Sequence, residues 1–203
     1  MAHHIYTTEG FVLDSLPFGE GNSFIYLFTR DLGLVGASAR SVRDIKSKLR
    51  YGLQTFCRST VSLVRGKNEW KVTSALPKKN FYYIFSQKDT VQHGAEKFLV
   101  CAHVLSIIKK LVAGEEKNEA LFDIVQSGFD FLEDNALNKE EVSFFECILM
   151  LRIVSNLGYL TSDHDLRVFV ESKDWNSDLL VQMEKYKKKA IFEINKSIRE
   201  SQL

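Results

Sequence analysis

Cysteine and proline are scarce in this chain, three of one and two of the other in 203 residues. Cys57, Cys101 and Cys147 lie more than forty residues apart, are odd in number and show no C-x-x-C spacing. That excludes a disulfide framework and a zinc knuckle, and the apolar surroundings of all three suit reduced, buried thiols. No apolar run reaches the roughly 18 residues of a membrane span, so no membrane association is expected. The opening Met1-Ala2-His3-His4-Ile5-Tyr6 has neither an apolar signal core nor an Arg-rich transit pattern, and a cytoplasmic protein is the expectation. His3 and His4 could suggest a tag or a metal site, but no partner cluster accompanies them.

Catalytic signatures are equally thin. There is no GxxxxGK[ST] to cradle a nucleotide phosphate, and Gly19-Glu20-Gly21 does not extend to GxGxxG. No HExxH occurs, and His3, His4, His93, His103 and His164 share no ligand spacing. Asp163-His164-Asp165 has metal-binding residue types but reads better as a turn or cap. Glu115-Glu116 and Glu140-Glu141 stand at expected helix ends, where acidic side chains complement the N-terminal dipole. No Ser/His/Asp or Cys/His arrangement can be assembled. The expectation is a protein without enzymatic activity, cofactor or metal.

What is present divides by period. Ile5–Asp14, Ser23–Thr29, Gly36–Arg40, Arg58–Arg65 and Glu69–Ser74 are short alternating runs rich in β-branched and aromatic residues. In the second, Phe24, Tyr26 and Phe28 share one face and Ile25 and Leu27 the other. Gly66-Lys67-Asn68 suits a hairpin between the last two runs. Ser47–Phe56, with Leu49, Leu53 and Phe56 at i, i+4 and i+7, predicts a short helix between the third and fourth strands. Five strands with a helix at that place are the order of an OB-fold barrel.

From Lys88 onward the period is helical. Val91, Ala95, Phe98, Ala102, Leu105 and Val112 trace one stripe, broken at Gly114-Glu115-Glu116-Lys117. A second helix carries Leu121, Ile124, Val125, Phe131 and Leu132. A third opens on Asn138 with Glu141 three positions on, close to a capping box, and stops at Gly158. Its apolar residues, from Phe144 to Val154, cover nearly every face, which predicts the buried centre of an α-helical bundle. A last helix, Leu179–Ser201, is expected to turn Val181, Met183, Ile191, Ile194 and Ile198 inward. Thr161–Asn176 is polar. Pro77 falls just before the change of period, as a domain junction would. The reading is an α+β chain of two domains: residues 1–80, a five-stranded OB-fold barrel that binds DNA, and residues 81–203, a helical bundle that binds partners.

The net charge of +1 hides an asymmetry. Residues 1–80 carry twelve Lys/Arg against six Asp/Glu, and residues 81–203 carry fifteen against twenty. Between positions 40 and 58, Arg40, Arg43, Lys46, Lys48, Arg50 and Arg58 oppose only Asp44, and Arg65, Lys67 and Lys71 fall on the expected last hairpin. Such a surface neutralises phosphates and releases their counterions. Tyr51 and Trp70, with Phe24, Tyr26 and Phe28, are candidate stacking faces for unpaired bases, although strand aromatics more often fill cores and Phe28 is expected inside.

Three segments, Thr8-Glu9-Gly10-Phe11-Val12-Leu13, Phe18-Gly19-Glu20 and Leu27-Phe28-Thr29-Arg30-Asp31-Leu32-Gly33-Leu34, resemble the opening of RecO, a family of bacterial recombination mediator and DNA repair proteins. The resemblance continues through Ala39-Arg40-Ser41-Val42-Arg43, Ser47-Lys48-Leu49, Leu53-Gln54-Thr55-Phe56, Leu63-Val64-Arg65-Gly66 and Trp70-Lys71-Val72-Thr73. Further on, Phe145-Glu146-Cys147, Leu151-Arg152 and Leu157-Gly158-Tyr159 look like the family's central helix and its glycine stop. The resemblance implies an OB-fold followed by a helical domain, binding of single- and double-stranded DNA, and annealing of complementary strands. It also implies work with RecR, and with RecF in some systems, to load RecA onto strands coated by single-strand binding protein, in the cytoplasm at the nucleoid. Arg40, Arg43 and Lys48, together with Lys46 and Arg50, match the family's cationic segment. Many members carry a four-cysteine zinc module after the Gly-Tyr matched by Gly158-Tyr159. With no cysteine beyond Cys147, zinc is not expected here. The competing reading is an OB-fold adaptor that binds peptides, with nucleic-acid contact incidental. A nucleotidyltransferase would need a nucleophilic lysine motif, and none is visible.

Overall fold

The computed structural model describes residues 4–87, 93–160, 163–172 and 174–201. Met1, Ala2, His3, Lys88, Val91 and Thr161, named above, lie outside the described residues.

Five strands form a closed barrel in the order β1-β2-β3-β5-β4: β1 (Ile5–Phe18), β2 (Asn22–Thr29), β3 (Gly33–Ala39), β4 (Cys57–Arg65) and β5 (Trp70–Asn80). This is the OB-fold. β1 closes the barrel because it is long enough to pair twice, with β4 over Ile5–Phe11 and with β2 over Gly10–Phe18. A bulge at Leu13 bends it between the two partners. Alternation then decides the core. Val12, Ile25, Leu27, Val35, Ala37, Val61, Leu63 and Val72 point inward, and Val42 and Leu53 enter from the β3–β4 connection. Phe24 and Tyr26 stay half-buried outside, while Phe28 is fully buried.

The β3–β4 connection is not the expected helix. Ser47–Phe56 is a chain of turns, with Arg50 N donating to Ser47 O at 3.4 Å and Cys57 N to Gln54 O at 3.1 Å. The barrel outcompetes the intrahelical ladder. Phe56 N donates instead to Val12 O at 3.0 Å, Ser59 Oγ takes the Gly52 carbonyl at 2.6 Å, and Phe56 adopts φ 68°. Leu53 still reaches the core, so the apolar spacing served burial without a helix. Nor does the sheet end at Pro77. β5 runs on to Asn80, and Pro77 pairs with Ser59 beside a bulge, where a missing N–H costs no ladder bond.

Six helices follow among the described residues: α1 (Phe81–Ser86), α2 (Gly94–Leu111), α3 (Glu119–Asp134), α4 (Lys139–Asn156), α5 (Arg167–Glu171) and α6 (Ser177–Glu200). The buried stripe of α2 is Val100, Cys101, Val104, Leu105, Ile108 and Leu111. Ala95 is exposed and Phe98 and Ala102 are half-buried, a rotation from the expected stripe. Lys97, 2% exposed, joins the buried face because its ammonium donates to Asn135 O at 2.6 Å, just beyond the C-terminus of α3. α4 is buried on nearly all sides and has both expected ends. Asn138 and Glu141 form a reciprocal capping box, and Gly158, at φ 79°, closes a Schellman motif through Tyr159 N to Val154 O at 2.9 Å. On α6, Met183 and Ile194 face inward as expected, but Val181 (62% exposed) and Ile191 (42%) face out, and Leu180 and Ala190 take the inner positions.

The chain forms two compact units that do not follow one cut in the sequence. The first combines the residues up to Ile84 with Leu105–Glu119, and the second combines Phe85–Val104 with the residues from Ala120 onward. In the first unit, the end of α2 and the segment after it lie on the barrel's outer surface. Lys109 Nζ donates to Asp14 Oδ2 at 2.6 Å and sits 4.6 Å from the Tyr26 ring centre, and Leu34 N donates to Gly114 O at 3.0 Å.

Candidate nucleic-acid interface

The turns after β3 carry the basic run. Arg40, Arg43, Lys46, Lys48 and Arg50 are all exposed, as are Ile45 and Tyr51. Their backbone is fixed from below and from the side. Ser41 N donates to Asn22 Oδ1 at 2.9 Å, Arg43 N to Gly21 O at 3.0 Å, and one Arg43 guanidinium nitrogen to Gly19 O at 3.2 Å. The β3–β4 turns are thus seated against the β1–β2 turn. Ser41, at φ 50°, makes the sharp exit from β3.

Arg43 and Arg50 flank a shallow groove lined also by Ser15, Gln54 and Thr55, with the buried Ser23, Val42 and Leu53 at its floor. Two guanidinium groups beside hydroxyl and amide side chains make a surface that can accept an anionic, hydrogen-bonding polymer, and Tyr51, 66% exposed, stands next to Arg50 as an available ring. Ser15, Ser23, Gln54 and Thr55 were not singled out from the sequence. Scattered small polar residues carry no signal until turns and strands bring them to one groove.

The hairpin between β4 and β5 differs. Lys67 is exposed at its tip, and the Lys71 chain lies over the turn, its Cε 3.3 Å from where a Gly66 Cβ would be. The parallel pairing of Ser38 with Lys71 brings this hairpin alongside the end of β3, two residues before Arg40. Arg65 is paired: one guanidinium nitrogen donates to both Glu115 oxygens, at 2.7 and 2.6 Å, and its carbon lies 4.8 Å from the Trp70 ring centre.

Arg58 and Trp70 depart from the expected surface. Arg58 is 8% exposed and Trp70 6%. Trp70 is covered by Arg65 and meets the Tyr6 ring edge-on at 5.2 Å, so it offers no open face to a base. Tyr26 is capped by Lys109, and Phe24 presses onto Gly36, its ring 2.7 Å from where a Cβ would stand. Of the aromatics considered, Tyr51 is the one left open.

All three cysteines are buried and free. Burial raises the Cys57 thiol, raises Cys101 well above its ordinary value, and pushes Cys147 up to about 11. Among the described residues no group of three or more His, Cys, Asp or Glu side chains is placed to hold a metal ion. Asp163 and Asp165 instead share Lys189, at 2.9 and 2.6 Å, and Asp165 N donates to Asp163 Oδ1 at 2.9 Å, the turn that the sequence suggested. Among the described residues no helix is long and apolar enough to cross a membrane.

Comparison with known proteins agrees with the barrel. The family model described as Recombination protein O N terminal matches residues 1–81. DNA repair protein RecO of Dehalococcoides mccartyi (strain 195) is 31% identical over 147 residues, covering 72% of this chain and 55% of the relative. DNA repair protein RecO of Alkaliphilus metalliredigens is 27% identical over 144 residues, covering 70% and 56%. Residues 1–81 match the N-terminal domain of the RecO family. The chain spans a little over half the length of the curated relatives it matches. Another relative, DNA repair protein RecO of Clostridium novyi, is 27% identical over 156 residues, covering 76% of this chain and 57% of the relative.

Proposed function

We propose that this chain is a RecO-family DNA repair protein that binds DNA through the turns after β3. Arg40, Arg43, Lys46, Lys48 and Arg50 meet phosphates, and Lys67 and Lys71 extend the track along the β4–β5 hairpin. One observation carries the reading: five cations opposed by Asp44 alone all reach solvent on a backbone fastened to the β1–β2 turn. A fixed cationic surface binds single- and double-stranded DNA largely without regard to sequence, and Tyr51 adds a stacking face for unpaired bases. Arg58 and Trp70, being buried, act only as support.

The mechanism is passive. The protein is not an enzyme and works by differential binding. Cations that screen phosphate repulsion between two strands lower the barrier to annealing. The helical residues would contact protein partners: RecR and, in the same process, RecF, RecA and single-strand binding protein, in the cytoplasm at the nucleoid. The acidic balance of residues 81–203 argues against DNA wrapping there.

The test is fluorescence anisotropy with a short oligonucleotide across a salt series. Removing two phosphate contacts in Arg43→Ala/Lys48→Ala should weaken single-strand binding and flatten the slope of log K against log salt by about 1.4. Unchanged affinity and slope would remove the site from this loop. Weak binding by the wild-type chain near physiological salt would favour a peptide-binding adaptor.

A further inference from the structure

Arg65 holds a carboxylate where a DNA-binding arginine would hold a phosphate. We propose that Glu115 is an internal phosphate mimic, which keeps the Arg65 subsite of the barrel occupied until a nucleic-acid strand displaces it. This inference rests on the DNA-binding reading above.

The geometry is that of an anion site already filled. The Arg65 nitrogen bridges both Glu115 oxygens at 2.7 and 2.6 Å, while the guanidinium packs against the Trp70 ring at 4.8 Å. A guanidinium held by an aromatic ring and presenting its N–H edge suits a carboxylate or a phosphodiester equally, since each offers two acceptor oxygens. Lys67 and Lys71 belong to the same hairpin, so a phosphate arriving there meets further positive charge.

Glu115 is placed by its backbone and does not depend on Arg65 for its position. Leu34 N donates to Gly114 O at 3.0 Å, and Gly33, at φ 67°, lies so close that a Cβ there would stand 2.3 Å from Glu116 O. Lys117 anchors the other side, 2.7 Å from Glu119 and 3.6 Å from Asp31. A displaced carboxylate therefore stays beside the hairpin as a standing competitor. The pair is half exposed, 51% for Arg65 and 43% for Glu115, where ion pairs are weak enough to be exchanged.

Neutralised by Glu115, Arg65 adds little to the counterions released when DNA binds, because the phosphate gained replaces a carboxylate lost. Glu115→Gln removes the competitor. In the 203-residue chain, with a labelled oligothymidylate, E115Q should tighten binding about two- to five-fold and steepen the salt slope by about 0.7. Arg65→Gln in the same chain should abolish that gain, and Glu116→Gln, which removes the same charge without touching Arg65, should not reproduce it. Wild-type affinity for E115Q overturns the inference, as does an equal gain from E116Q or a gain that survives in R65Q/E115Q. If R43A/K48A still weakens binding, such a result leaves the DNA-binding reading standing. Absence of any binding by the wild-type chain overturns both. Matching circular dichroism melts establish that the variants are folded.

Discussion

Single residues separate into those whose charge is free and those whose charge is already engaged. Arg40, Lys46 and Lys48 belong to the first group and Arg65 to the second, though in sequence they look alike. Arg152 is a third kind, 5% exposed. It donates to Phe169 O at 2.9 Å and Asp174 O at 3.1 Å and stacks on Trp175 at 3.9 Å, while burial pulls its pKa down to about 10. Its work is to tie the segment after Gly158 to α4. Asp14 gives a pH prediction. The hydrogen bond from Lys109, helped by Ser15 N, holds its carboxyl below the ordinary value. Because the folded pKa is depressed, the stabilisation is complete above the unfolded carboxylate pKa of about 4 and is lost as pH falls through the lowered value. Asp14→Asn should therefore lower stability by up to about 1 kcal/mol at pH 7, discounted for the partial exposure of both partners. Urea melts at pH 7 and pH 2.5 should show that gap and its closure.

At the scale of elements, the ends of α4 were legible because capping is local chemistry. Asn138 accepts from Glu140 N and Glu141 N at 2.9 and 3.0 Å, using residues no more than three positions away. Asn138→Ala should cost about 1 kcal/mol in thermal or urea unfolding. The turns after β3 depart from the expected helix for the opposite reason. Leu49 and Leu53 have helical spacing, yet Phe56 and Gly52 spend their backbone groups on Val12 and Ser59, partners more than forty and seven positions away. Apolar spacing sets which residues are buried, and the nearest hydrogen-bonding surface sets how the chain gets there. The facing of α6 followed the same logic: Val181 and Ile191 have the right period, but the neighbouring Leu180 and Ala190 fill the inner face.

For the whole molecule, the change of period and the charge asymmetry were readable along the chain, whereas the composition of the compact units was not. Leu105–Glu119 joins the barrel through Lys109, Gly114, Glu115 and Lys117, all beyond the change of period. A fragment ending at Ile84 lacks those contacts and should melt at a lower temperature than one ending at Glu119, measured by circular dichroism. The sequence by itself determined the strands, the long helices, the caps of α4 and the excess of cations between positions 40 and 58, because each depends on residues within a few positions of one another. Tertiary structure alone decided which cations are free, that Trp70 is covered, and that Arg65 is matched by Glu115. Those outcomes depend on groups as many as sixty-four positions apart, brought together by barrel closure and a returning segment.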